Sequence, residues 1–240
     1  MNLRPFVFSV LLLGSVARAA HAQQPAPGAP PATGIQPEAP THAEEVARER
    51  QRWNRALTDS LIRARILNAN PNALLVETVK GRKPGTALDV GMGEGRNAIY
   101  LAQQGWQVTG FDVADQALAF AQKRAKALNV KITTVEQDVD KFDFGTSKWD
   151  LIVVSYAGGR DYADRVKKAL KPGGLLVLEG FHRDAVQQAR IGEGVVFETD
   201  EMKKLYAGSG LKILRYEEPM GIADFSKKEV RLVKLVAQKP

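Results

Sequence analysis

The sequence predicts an α/β fold, a mostly parallel sheet with helices on both faces. Three observations predict it. Short apolar runs alternate with helical segments between Thr86 and Glu179. A glycine-rich turn follows the first of these runs and opens a helix. The last two apolar runs are joined by a connection too short for a helix crossover, so they should pair antiparallel.

The N-terminus comes before that pattern. Met1 to Arg4 is a short basic start, Phe6 to Val16 an apolar core, and Ala20-His-Ala22 a small-x-small cleavage pattern. This is the layout of a secretory signal peptide over 1–22, and it implies export to the periplasm or medium. A spanning helix needs about 20 apolar residues, and this run stops at Arg18, so no stable membrane insertion is expected once the leader is removed. Residues 23–40 hold six of the chain's 12 prolines. Proline removes backbone donors and favours extended chain, so this segment reads as a linker. Thr41-His-Ala-Glu44 is a capping box. It starts a charged helix through about Arg65, with Val46, Trp53, Leu57, Leu61 and Ile62 as its apolar stripe. Ala73 to Lys80 forms a short second helix. Residues 41–80 are thus an N-terminal helical segment, and 81–240 the main domain.

Within that domain Thr86 to Val90 is a buried strand, preceded by the Lys83-Pro-Gly85 breaker. Gly91-Met-Gly-Glu-Gly95 is the turn, and Arg96 to Gln104 a helix. Gln107 to Asp112 is the second strand and Ala114 to Leu128 the next helix. Lys131 to Val135 and Trp149 to Val154 are strands three and four, and Tyr162 to Leu170 a helix. Lys171-Pro-Gly-Gly174 turns into a fifth strand, Leu175 to Glu179. Thr199 is expected to cap a helix through Tyr206. Leu211 to Glu217 and Glu229 to Ala237 are the antiparallel pair.

Composition excludes several chemistries. The 240 residues include no cysteine, which removes disulfides, thiolate metal sites and a cysteine nucleophile. No metal site is expected. Lys and Arg number 34 against 27 acids, a net charge of +7. Losing Arg4 and Arg18 with the leader would lower it to +5. The basic residues are spread over helices and lack interleaved aromatics, so no nucleic-acid partner is expected. Oligomeric state is open, monomer or dimer.

The glycine turn narrows the ligand. Glycines let a backbone pass close to a ligand and adopt positive φ. A dinucleotide fingerprint wants glycine at positions one, three and six, and position six here is Arg96. No Lys-Ser/Thr pair follows for a phosphate loop. Ala87-Leu-Asp-Val-Gly-Met-Gly-Glu-Gly95, Asp112 ending the second strand, Asp138 after the third, Trp149-Asp150 opening the fourth and Leu170-Lys-Pro-Gly-Gly174 before the fifth together resemble the class I S-adenosylmethionine-dependent methyltransferases. The resemblance runs from about Thr86 to Gln238. It implies a Rossmann-like, seven-stranded, mostly parallel sheet with an antiparallel last strand, and S-adenosyl-L-methionine as cofactor. Gly91 to Asn97, Tyr100-Leu-Ala and Gly105-Trp-x-Val-Thr are most similar to the tellurite-resistance and thiopurine-type branch. One departure stands out. That branch carries a His-Arg pair between its last two strands, whereas this chain has Asp224-Phe225 there.

The resemblance assigns roles, and each has a structural alternative. Asp112 would accept from the ribose hydroxyls, or else cap a helix. Gly91, Gly93 and Gly95 would pass under the methionine part and ribose, or else form a tight turn only. Asp89 would orient the turn and the cofactor's ammonium. Asn97 would bond backbone or the cofactor carboxylate. Asp138 would accept the adenine amino group, with Asp140 and Asp143 as competitors, and the Val139 amide would reach a ring nitrogen. Val113 flanks the adenine face. Ser155 and Tyr156 follow the fourth strand near the transferring methyl, with Tyr156 lining the acceptor pocket. His182 is a candidate general base or a surface histidine. The expected reaction is in-line methyl transfer to a small heteroatom acceptor. A non-catalytic cofactor-binding protein and a nicotinamide-type oxidoreductase remain alternatives.

Overall fold

The computed structural model of the chain describes residues 41–59, 61, 68–189, 191–192, 195–224 and 228–240. The expected leader, the linker and most of the first helix's expected continuation towards Arg65 lie outside the described residues.

The first helix, α1 (His42–Thr58), starts on the expected capping box. The Thr41 hydroxyl accepts from the Glu44 amide at 3.3 Å, and the Glu44 carboxylate accepts from the Thr41 amide at 2.7 Å. Helix α2 (Ala73–Val79) is capped by the Asn72 side chain, which accepts from the Leu75 amide. Strand β1 (Thr86–Val90) then leads through the glycine turn into α3 (Arg96–Gln103). The pattern repeats through β2 (Gln107–Asp112), α4 (Asp115–Ala127), β3 (Thr133–Glu136) and β4 (Trp149–Ser155). Helix α5 (Ala163–Ala169) precedes β5 (Leu170–His182). After α6 (Ala185–Ala189) come β6 (Val196–Phe197), α7 (Glu201–Gly208), β7 (Lys212–Glu217), β8 (Met220–Ile222) and β9 (Glu229–Gln238).

The main sheet runs β3-β2-β1-β4-β5-β9-β7. Its first five strands are mutually parallel, and β9 is antiparallel to both neighbours. The expected seven-stranded path is therefore present. Two short strands were not foreseen: β6 pairs with the end of β5, and β8 with the start of β9. At two and three residues they carry too little periodicity to be read from sequence.

The central strands are apolar throughout because both faces are covered. Leu88, Val90, Ile152, Val154, Leu176 and Leu178 pack with Val166, Met202 and Tyr206 from α5 and α7. Their neighbours Ala87, Leu151, Val153, Leu175 and Val177 point the other way, onto α2, α3 and α4. Leu74, Leu75 and Val79 of α2 join this second core, so the packed unit includes part of the segment assigned to the N-terminal helices.

Other boundaries differ. Strand β5 begins at Leu170, where a register irregularity against Trp149 lets Lys171-Pro-Gly-Gly174 stay within the strand. It extends to His182 because β9 pairs with it as far as Phe181 and β6 pairs with its last two residues. Strand β3 starts two residues later than expected. Thr199 does not cap α7. That helix starts from Asp200 in left-handed conformation, φ 59°, and the Thr199 hydroxyl bonds the His182 ring instead.

Candidate cofactor and acceptor site

Strands leave β1 in both directions: β2 and β3 lie to one side, β4 and β5 to the other. That reversal opens a crevice at the carboxyl ends of β1 and β4, where ligands bind in open α/β sheets. The glycine turn, Ser155 and Tyr156 sit at those ends.

The three glycines have separate reasons to be glycine. All have positive φ, at 62°, 52° and 73°. A Cβ on Gly91 would come within 2.5 Å of the Ala157 Cβ, and one on Gly95 within 2.9 Å of the Ala121 Cβ. These two are demanded by packing. A Cβ on Gly93 would meet nothing within 4 Å. Gly93 faces open space, and its amide donates to Asp112 Oδ2 at 2.9 Å. The Asp112 Oδ1 accepts from the Ala114 amide at 2.9 Å, so the carboxylate is fixed at the end of β2. Burial raises its pKa, against the lowering effect of these amides.

Asp89 is 2% exposed and accepts from the Ala98 amide of α3 at 3.1 Å. Burial pushes its carboxyl up to about 7, with Arg96 acting in the opposite direction. Asn97, also buried, bridges two segments. Its Oδ1 accepts from the Asn72 amide at 2.9 Å, and its Nδ2 donates to Ser155 Oγ at 3.2 Å. Sequence reading left open whether Asn97 bonds protein or ligand; here both ends of its amide bond protein.

Asp224, noted in the sequence only as a departure from the branch's His-Arg pair, gathers three donors beside the crevice. It accepts from Arg96 Nη1 at 2.8 Å, from Asn72 Nδ2 at 2.8 Å and from Asn68 Nδ2 at 3.1 Å. Arg96 thus ties the α3 start to the loop between β8 and β9. Its long side chain sits where a dinucleotide fingerprint needs glycine, and it has this partner as its reason. No sequence signal marks the pair, because its members are 128 residues apart.

Tyr156 adopts positive φ, 58°, uncommon for a bulky residue. Its hydroxyl donates to Glu179 Oε1 at 2.6 Å and accepts from the Asp224 amide at 3.3 Å. Burial and the Glu179 charge raise the phenol pKa well above its ordinary value, so it stays protonated. Glu179 is 3% exposed and lies 3.4 Å from Lys234 Nζ.

His182 is not a surface histidine; it is 3% exposed. Its Nδ1 lies 3.2 Å from the Asp184 amide, and its Nε2 lies 3.0 Å from the Thr199 hydroxyl. Two carboxylates also approach the ring, Asp184 at 3.3 Å from Nδ1 and Glu218 at 3.7 Å from Nε2, so His182 sits in a buried polar network behind the sheet edge.

Asp138 lies beyond β3. Its Oδ2 is 2.6 Å from His42 Nε2 of α1, and its Oδ1 accepts from the Asp140 amide at 3.2 Å. His42, Asp138 and Asp140 place one ligand atom each within 4.8 Å of one another, a grouping the sequence did not suggest. Asp143 accepts from the Gly145 amide instead. The Val113 carbonyl accepts from Arg50 Nε at 3.0 Å, and the Val139 carbonyl from Arg165 at 2.6 Å.

The residues present suit S-adenosyl-L-methionine. A carboxylate is fixed at the end of β2, a glycine faces open space beside it, and a second acid stands under the turn. Comparison with known proteins agrees. Residues 87–174 match a methyltransferase-domain family model. A probable S-adenosyl-L-methionine-dependent methyltransferase of Haemophilus influenzae, TehB, is 26% identical over 154 residues, 61% of this chain and 53% of that protein. The demethylmenaquinone methyltransferase of Thermus thermophilus is 30% identical over 114 residues, 44% of this chain and 51% of that one. The crystal structure of Haemophilus influenzae TehB superposes with a TM-score of 0.62 at 22% identity, covering 70% of this chain and 62% of that one. The chain spans about half the length of the curated relatives it matches. Sheet order, glycine turn and these matches together show a Rossmann-like methyltransferase fold in which residues 87–174 match the methyltransferase-domain family, with S-adenosyl-L-methionine as the cofactor that this implies.

Proposed function

We propose that the chain transfers a methyl group from S-adenosyl-L-methionine to a small acceptor with a soft or already ionised heteroatom, such as a thiol or a metalloid oxyanion. The observation that carries this reading is the Asp112 carboxylate held against the Gly93 amide at the strand-order reversal. Asp112 would hold the ribose hydroxyls, Asp138 and the Val139 amide the adenine edge, and Val113 its face. Gly93 would lie beside the ribose and methionine part. Asp89 would compensate the ammonium. Ser155 and Asn97 would line the methyl-bearing end.

The bound sulfonium supplies an already activated methyl group. The chain's own contribution is then alignment and exclusion of water. Tyr156 holds its proton and directs it at Glu179, so its hydroxyl orients and does not deprotonate. Tyr156 therefore offers no base, and His182 is buried and held by Thr199 and the Asp184 amide. This supports an acceptor that needs none. Asp224, neutralised by Arg96, replaces the branch's His-Arg pair, so a tellurite-type substrate does not follow from the family.

The leader-like N-terminus supports export as part of the proposal; N-terminal sequencing of protein from the periplasm or medium would start near Gln23.

The test is a methyl-transfer screen with the purified chain over thiols, selenite, tellurite and small amines, with Asp112→Ala as control. Turnover on one class is expected. The variant should lose roughly a hundredfold, since two charge-assisted hydrogen bonds disappear. Cofactor binding without turnover on any acceptor class would favour a non-catalytic binding protein.

A further inference from the structure

Helix α1 is docked on the two loops that, on the reading above, hold adenosine. From its N-terminal end, His42 contacts Asp138 at 2.6 Å and approaches Asp140 at 3.8 Å. Further along the helix, Glu49 accepts from the indole N–H of Trp53 at 2.6 Å. Burial raises the Glu49 carboxyl pKa, and the charge of Asp112 adds to the rise, so α1 brings a second acid beside the ribose-binding one. Arg50 spans both loops, donating to the Val113 carbonyl at 3.0 Å and pairing with Glu136 at 2.9 Å. Trp53 packs on Ala114 and Ala117, and Asn54 Nδ2 donates to Asp115 at 2.7 Å. The contacts therefore follow the end of β2, the start of α4 and the end of β3.

The contact with Asp138 has a specific consequence. The Asp138 side chain is 10% exposed, and both of its oxygens have partners, the His42 ring and the Asp140 amide. An adenine amino group would need one of those oxygens as acceptor, and a donor already sits at each of them. His42 itself is half exposed, at 51%, and has somewhere to go.

We infer that α1 is a competing cover of the cofactor site, in which His42 takes the Asp138 carboxylate that adenine requires and must release it for the nucleoside to bind. This rests on the assignment of the site to S-adenosyl-L-methionine. The contact joins a half-exposed imidazole to the Asp138 carboxylate, so solvent competes for it on the His42 side. That suits a contact which a ligand displaces, because only its difference from the adenine contact reaches the binding constant. Arg50 shares the work by holding the same helix to the Val113 carbonyl.

Calorimetry with S-adenosylhomocysteine on the full chain tests this, together with amide hydrogen exchange of 42–58. His42→Ala and Arg50→Ala should each bind about threefold to tenfold more tightly than the unchanged protein. Arg48→Ala, on an exposed position of the same helix, should bind as the unchanged protein does. In the unchanged protein the ligand should speed exchange in α1. Weaker binding by both variants with slower exchange would overturn the inference, since α1 would then be a wall around the bound nucleoside. Unchanged binding in both variants would overturn it too. If neither the unchanged protein nor any variant binds, the cofactor assignment itself fails, a result distinct from either of these.

Discussion

Asp89 combines a sequence-visible position with a protonation state that only packing sets. Its carboxyl is pushed up to about 7 by burial, far above its ordinary value of 3.8. A raised carboxyl pKa means the folded chain binds the proton more tightly than the unfolded one. Stability from this group is therefore fully present below about pH 4 and falls as pH rises towards 7. Asp89→Asn keeps an acceptor for the Ala98 amide and removes that loss. Its unfolding free energy in urea at about pH 8 should exceed that of the unchanged protein by a few kcal/mol. Binding has the opposite dependence. An ammonium beside Asp89 favours the ionised form, so S-adenosylhomocysteine affinity should rise as pH increases through about 7, and Asp89→Asn should flatten that rise. The glycines divide in a similar way. Gly91→Ala places a Cβ 2.5 Å from Ala157 on top of left-handed strain, and should cost roughly 2–4 kcal/mol in urea unfolding. Gly93→Ala carries the strain alone, roughly 1–2 kcal/mol, and its larger effect should be on ligand affinity. The sequence shows three equivalent glycines. Only the neighbours Ala157 and Ala121 distinguish them, and these come from other elements.

At the scale of elements, reading from sequence succeeded where a pattern was local. The capping box of α1, the alternation from β1 to β4 and the antiparallel β7–β9 pair each depend on residues close in the chain. Thr41→Ala should speed amide exchange in the first turn of α1, where the cap contributes about 1 kcal/mol, with little change in global unfolding. Failures came where tertiary contacts decide. Strand β5 runs to His182 because β9 accompanies it to Phe181 and β6 pairs with its last two residues, and Thr199 turns to His182 rather than to its own helix. The burial of His182 escaped sequence reading for the same reason, since only the folded chain covers it. β9 is the element most dependent on the rest, lying between β5 and β7 with both faces covered. Leu235 there is fully buried, so Leu235→Ala should cost about 2–5 kcal/mol.

At the scale of the molecule, the fold class and the ligand crevice were legible because they follow from strand order and a glycine turn. The polar cluster around Asp224 was not. Asp224, Arg96, Asn72 and Asn68 meet from opposite ends of the domain, and nothing in their local sequence announces it. Charge arithmetic was no guide either, since the excess of basic residues is spread over helices and paired with acids such as Glu136, Asp224 and Glu201. On the proposed function, the crevice at β1 and β4 holds S-adenosyl-L-methionine on Asp112. The most direct measurement is thermal unfolding of the unchanged protein and of Asp112→Ala with and without S-adenosylhomocysteine. At a hundred times the dissociation constant the ligand contributes about 2.7 kcal/mol, which for a domain of this size raises the midpoint by roughly 5–10 °C. That shift is expected in the unchanged protein and should be lost in Asp112→Ala. An equal shift in both proteins, or stabilisation by NAD but not by S-adenosylhomocysteine, would contradict the claim.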